Sequence, residues 1–411
     1  MKVQSSLRAR LCGVAFLMAL AAGCGGGSGG GEPGPGAPAA PPVGPPIDPP
    51  AVPEVRGWSQ PFGSASVVIG QSGFDQLDPE GGSATPIYNP LGRAAVTLDN
   101  RLLVPGGGDS IQVFGNYEAG NGPVADAELQ IRDAGTIYDL SISGAKLVAS
   151  GLFTVSIHNT VPTGGILDPD AFAGGAGGGC SASNLEQYTA AALTPDGRRL
   201  IVADTNNHRV LIWNDVDRAA GPLGEANVVL GQQDMDHCAP NDHNGDGNSE
   251  AQPNGQTLSR PTSVWSNGTR LLVADADNNR VLIWNNIDQA FNFQPADDVI
   301  GQEDFFGSLP NAGQPSPSGK SLFFPTSVDV SAAGEMAVVD GANSRVLIWR
   351  EIPTQGESAA FVVGRPNFTS LESLPLSAKS LSNPNGARFH GRNLIVSDTG
   401  NNRVMVWRES D

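Results

Sequence analysis

The loop Asp242-His-Asn-Gly-Asp-Gly-Asn-Ser-Glu250 carries oxygen-bearing side chains at alternate positions, with Gly247 where the chain must turn most sharply. Hard cations take carboxylate and carbonyl oxygens, and a chain that aims several of them at one point has to bend, so this rhythm matches the first half of an EF-hand-like calcium loop. Asp242, Asn244, Asp246 and Glu250 are the candidate ligands, and calcium is the candidate ion. Pro253 stands where such a loop would close on a bidentate Glu. Strings of Asp, Asn and Gly also make ordinary solvated turns. His237, Cys238 and His243, close by, are residue types that bind zinc. Cys238 has a competing use, because Cys180 is the one other cysteine beyond residue 24. An even pair in an exported domain is expected to form a disulfide.

A second constellation recurs. Asp204, Asp275, Asp340 and Asp398 are each followed three residues on by Asn207, Asn278, Asn343 or Asn401 and five on by Arg209, Arg280, Arg345 or Arg403; a Trp closes each copy. Asp ends one apolar run and Arg opens the next, so the two face each other across a hairpin and can pair. Asn between them tolerates the left-handed backbone that a tight turn needs. Catalytic sites are asymmetric whereas determinants of a fold repeat, so these twelve residues are expected to be structural.

The spacings are 71, 65 and 58 residues, from Asp204 to Asp275, Asp340 and Asp398 in turn. Each unit reads as a strand, an apolar second strand such as Leu271 to Ala274, the Asp-x-x-Asn-x-Arg turn, and a run such as Arg280-Val-Leu-Ile-Trp284. Continuous rather than alternating apolar runs imply strands covered on both faces, as in a blade between two other blades. Two earlier units are degenerate. One contains Leu102 to Val104 and Ile111 to Phe114; the other contains Leu147 to Ala149 and Val155 to His158, with His158 in the Trp place. A Val-Val-Ile-Gly-Gln strand at residues 67–71 has relatives after three of the four Trp runs, and the last run has none behind it. The chain therefore reads as an all-β, six-bladed β-propeller over residues 56–411, its last blade completed by the N-terminal strand. The excess length falls at 233–260, 303–324 and 366–383, so one face carries the insertions.

The strings Val-Ala-Asp204-Thr-Asn-Asn-His-Arg209 and Val-Ser-Asp398-Thr-Gly-Asn-Asn-Arg403 resemble the NHL-repeat family, whose members form six-bladed propellers. The resemblance is good over 188–408, weak over 86–160, and too general in function to name a ligand. Some members bind RNA through a basic face. Here the formal net charge is −18, which repels phosphate backbones and argues against nucleic acid. Other six-bladed propellers are lyases or lactonases whose metal is held by side chains in the central channel. First-strand candidates for such a site are Asp139, Asp329, Asn385, Arg388 and His390, and the alternative channel-mouth site is His208, Asp329 and His390. No Gly-x-Ser-x-Gly, Walker or zincin motif is present.

The first 23 residues have a basic start, an apolar run from Leu11 to Ala22 and a small-residue box before Cys24. This resembles a bacterial lipoprotein signal, in which Cys24 would be lipidated. Residues 24–55 are rich in Gly and Pro and read as a disordered tether. A lipid-anchored protein of the cell envelope is expected, in the outer membrane rather than the inner. On this reading the propeller is a non-enzymatic binding module that presents its insertion-rich face to a protein or glycan partner. The alternative is a metal-dependent lyase or hydrolase at the channel mouth.

Overall fold

Six small sheets stand in a ring, and their inner strands surround a central channel. The computed structural model describes residue 58 and residues 63–77, 87–175 and 179–409; the expected signal, Cys24 and the expected tether lie outside them. Blades 3, 4 and 5 are antiparallel four-stranded sheets in sequence order. Blade 4, for example, is Pro261–Ser266, Leu271–Asp275, Arg280–Trp284 and Asp298–Ile300. Blade 6 takes Gly386–His390, Asn393–Asp398 and Arg403–Arg408 from the C-terminus, and Val67–Ile69 as its outer strand, antiparallel to the last. Sheet hydrogen bonding thus closes the ring, as the surplus front strand requires.

The second and third strands of blades 3 to 6 are buried at nearly every position, which explains their unbroken apolar runs. Their side chains pack alternately into the core shared with one neighbour and the core shared with the next. The Trp residues belong to these cores. Each indole also donates to a carbonyl of the segment leading into its blade's outer strand: Trp213 to Gly224, Trp284 to Gln294, Trp349 to Glu357, and Trp407 to Gly63.

The Asp-x-x-Asn-x-Arg turn pairs as expected and does more. In blade 4, Asp275 accepts the Ser259 N–H on one oxygen, and the Asn278 amide and Arg280 Nε at 2.8 Å on the other. The rest of the Arg280 guanidinium donates to three backbone carbonyls, Asn254 and Thr257 from the connection before the blade and Phe305 from the connection after it. Arg209 grips Ser181, Asn184 and Met235; Arg345 grips Ser318, Ser321 and Phe368; Arg403 grips Ser377, Ser380 and Phe74. All four Arg and all four Asp are fully buried. The turn therefore fixes both ends of the insertions, and turn and insertions share one face.

The degenerate blades are completed differently. Blade 1 gains a parallel fifth strand, Gly165–Leu167, from the chain of blade 2, and blade 2 gains Gly221–Pro222 from blade 3. Two outer edges are covered by a neighbour. Asn292 Oδ1 and Phe293 N bond Val229, and Asn121 Oδ1 and Gly122 N bond Val68 in the same way. Covering an edge removes a template for unwanted strand pairing.

Candidate functional site

The mouth of the channel on the insertion face is built by a repeated blade-to-blade contact. The last residue of each turn is left-handed, and its side chain accepts the N–H of the left-handed residue that precedes the next inner strand. His208 Nδ1 takes Arg260 N at 3.0 Å, Asn279 takes Phe324 at 2.8 Å, Ser344 takes Asn383 at 3.2 Å, and Asn402 takes Asn89 at 2.9 Å. One step inward, the hydroxyls of Thr205, Thr262, Thr326 and Thr399 donate to the carbonyls of Pro261, Pro325, Pro384 and Pro90. Both sets of contacts hold blades 3, 4, 5, 6 and 1 in register around the mouth.

This architecture needs only an N–H and a positive φ at the residue before each inner strand. Blades 1 and 6 use Asn89 and Asn383, which tolerate φ of 44° and 46° readily. Blades 4 and 5 use Arg260 and Phe324 at φ 54° and 53°, and Tyr188, at φ 66°, precedes the inner strand of blade 3 with the same backbone but without that contact among the described residues, at a cost of about 1–3 kcal/mol each. Their side chains line a cavity of about 200 Å³ together with Tyr138, Thr205, Thr262 and Thr326. Tyr138 and Tyr188 meet with ring centroids 4.7 Å apart, and the Arg260 guanidinium lies over the Phe324 ring at 5.4 Å. Its carboxylate neighbour, Asp277, is 3.8 Å away, beyond hydrogen-bonding distance.

Below this cavity the channel is closed by charge. Arg93, 1 % exposed, binds Asp139 through Nε at 3.0 Å and Nη2, and donates to the carbonyls of Ala191 and Val264. One side chain thereby joins blades 1, 2, 3 and 4. Asp329 of blade 5 accepts the Phe389 N–H at 2.8 Å; burial pushes its carboxyl up, while Arg388 and Arg93 pull it back. Asp139, Asp329 and Arg388, which have no visible relationship in the sequence, do converge, and with Arg93 they make a compensated group of two cations and two anions. Arg93 and Arg388 also line a second cavity, of about 280 Å³, that opens on the opposite face beside Trp265 and Asn267. Arg93 carries a sequence signal of its own, since it is a charge in an inner-strand segment otherwise of Gly and Ala.

Of the other residues singled out by sequence, Cys180 and Cys238 form the disulfide, with Cα atoms 6.0 Å apart. Zinc ligation by His237, Cys238 and His243 is overturned, because the sulfur is already bonded; His237 instead contacts Asp234 at 2.6 Å. Asp242, Asp246 and Glu250 each bring a carboxylate oxygen within 4.8 Å of the others, so these three could face one cation. Glu250 closes the loop three residues earlier than Pro253 would. Asn244 Oδ1 is turned back to accept the Asp246 N–H, and Asp242 accepts the N–H groups of Gly245 and Gly247. His208, Asp329 and His390 are not brought together. His208 lies in the blade 3 turn, Asp329 in the closed channel, and His390 at the end of its inner strand toward the opposite face. Asn385 accepts the Gly92 N–H at the edge of the insertion-face cavity.

Neither a protein-family model nor any curated protein matches the chain.

His208 gives a pH-dependent prediction. Burial and the neighbouring Arg260 lower its pKa from 6.5 to about 4, and its Nδ1 can accept the Arg260 N–H only while the ring is neutral. The folded pKa lies below the unfolded one, so this contribution is complete above about pH 6.5 and is lost as the pH falls toward 4. The loss has burial of the ring as its main cause and the Arg260 charge as the second, and it is of the order of a few kcal/mol. In His208→Asn, which copies Asn279 and Asn402, the drop in melting temperature between pH 7 and pH 4.5 should be smaller than in the wild type. Parallel curves for the two proteins would refute the assignment.

Proposed function

We propose that the chain is a lipid-anchored, non-enzymatic binding module of the cell envelope, built from NHL-type repeats, that presents its insertion face to a protein or glycan partner. The observation that carries this reading is the mouth itself. Three blades accept backbone strain at positions where Asn would serve the fold, and the residues accepted there are two aromatics and an Arg, arrayed around one cavity. The charged groups below it neutralise one another. Such a floor supports a bound group above it better than it supports a reactive one, because Arg93 and Asp139 are paired and the charges of Asp329 and Arg388 act to offset one another.

Six-bladed architecture and the Asp-x-x-Asn-x-Arg turns support the NHL assignment, and Cys24 after its small-residue box supports the anchor. A tether of Gly and Pro gives reach from a membrane surface. The test is capture of native envelope material by the full mature protein, comparing wild type, the double variant Tyr188→Asn with Phe324→Asn, and Arg198→Ala on the opposite face. Retention by the wild type and Arg198→Ala, with loss in the double variant, is the expected result. Equal retention by all three would dismiss the mouth as the contact surface.

A further inference from the structure

The insertion-face cavity has a restricted chemistry. Thr205, Thr262 and Thr326 each spend their hydroxyl proton on a prolyl carbonyl, so what they offer a ligand is oxygen lone pairs. The ligand that matches them must bring hydroxyl donors. The Tyr138–Tyr188 pair and Phe324 supply flat apolar walls. Arg260 is the one cation among the lining residues, and its guanidinium, 3.8 Å from Asp277, makes no hydrogen bond among the described residues. Its two Nη groups are therefore still available as donors to a carboxylate. Of the other ionisable groups at the cavity, Asp139 is committed to Arg93 and Asp277 stands 3.8 Å behind Arg260.

Resting on the binding-module reading above, we infer that this cavity takes one carboxylate-bearing sugar ring, a hexuronate unit, with the carboxylate on Arg260, the hydroxyls on the threonine ring, and an apolar ring face against the tyrosine pair. The volume suits a single ring at the end or side of a glycan. The chain's overall negative charge opposes an acidic ligand at long range, but at physiological salt that field is screened over about 8 Å. Contact at the mouth is therefore governed by Arg260.

The test is calorimetric titration of the full mature protein with glucuronate and galacturonate, with glucose and galactose as neutral counterparts and acetate as the bare carboxylate. At least tenfold tighter binding of a uronate than of its neutral counterpart is expected, with acetate weaker than the uronates. Arg260→Asn, which installs the residue found at the same place in blades 1 and 6, should abolish the difference between uronate and neutral sugar without moving the melting temperature downward. Tyr188→Asn should weaken both sugars alike. Equal affinity for uronates and neutral sugars, or a preference that survives Arg260→Asn, overturns the acidic-sugar assignment while leaving a binding mouth. Acetate as strong as the uronates overturns ring recognition. Absence of any sugar binding overturns the inference outright, and the envelope capture experiment then decides separately whether the mouth binds at all.

Discussion

Replacing Arg280 by alanine is expected to lower the free energy of unfolding by about 3–5 kcal/mol, the range for removing one partner of a buried ion pair. Arg280 and Asp275 are both fully buried, and burial alone pushes the Asp275 carboxyl up; Arg280, Asn278 and the Ser259 N–H offset that push. Without the guanidinium the carboxylate loses its counter-charge, and the carbonyls of Asn254, Thr257 and Phe305 lose their donors. Each buried acceptor left unmade adds to the loss. Lysine cannot replace the fork, so Arg280→Lys should recover only a fraction. Asp246→Ala, in the exposed part of the 242–250 loop, is the control, and its melting temperature should stay close to the wild type. Equal, negligible shifts for Arg280→Ala and Asp246→Ala would contradict a framework role for the turn.

Arg93→Met should have an effect of the same order, about 3–5 kcal/mol, for a different reason. The side chain ties Asp139 to the inner strands of blades 3 and 4 across the channel, and methionine keeps the bulk while removing every donor. Asp139 is then a buried carboxylate that retains, among the described residues, only the Arg93 backbone N–H at 2.8 Å. Combining Arg93→Met with Asp139→Asn removes the stranded charge, so the double variant should lose less than the sum of the two single ones. The coupling expected for groups in direct contact is about 0.5–3 kcal/mol. Additive losses in chemical denaturation would mean that the two side chains do not act as a unit.

Blade number, ring closure, the face that carries the insertions and the Cys180–Cys238 bond were all legible in the sequence. Each rests on a pattern that repeats or on an arithmetic of few residues. What stayed hidden is of two kinds. The grip of Arg280 on three carbonyls leaves no trace in side-chain identity, because backbone acceptors are present at every position. The convergence of Arg93, Asp139, Asp329 and Arg388 joins four blades whose inner strands are far apart in the chain, so no local spacing announces it. His208, Asp329 and His390 likewise come from three different blades and form no cluster within 4.8 Å among the described residues, a relation that spacing along the chain cannot express. The mouth fell between these cases. Tyr188, Arg260 and Phe324 occupy one repeat position, but their significance appears only once the left-handed backbone there is seen.

The grip of the arginines on the connections has a consequence for how the insertion face can change. Arg209 holds Met235 and Arg280 holds Asn254, so residues 236–253 hang between two fixed points; 306–317 hang between Phe305 and Ser318, and 369–376 between Phe368 and Ser377. With both ends pinned by the frame, doubling such a span costs only about 0.6 kcal/mol in closure entropy. Within them, Asn241 and Asn311 are tied to Asn278 and Asn343 of the turns and Cys238 to Cys180, so the spans are cassettes on a common socket that can diverge in length and chemistry only between those further fastenings.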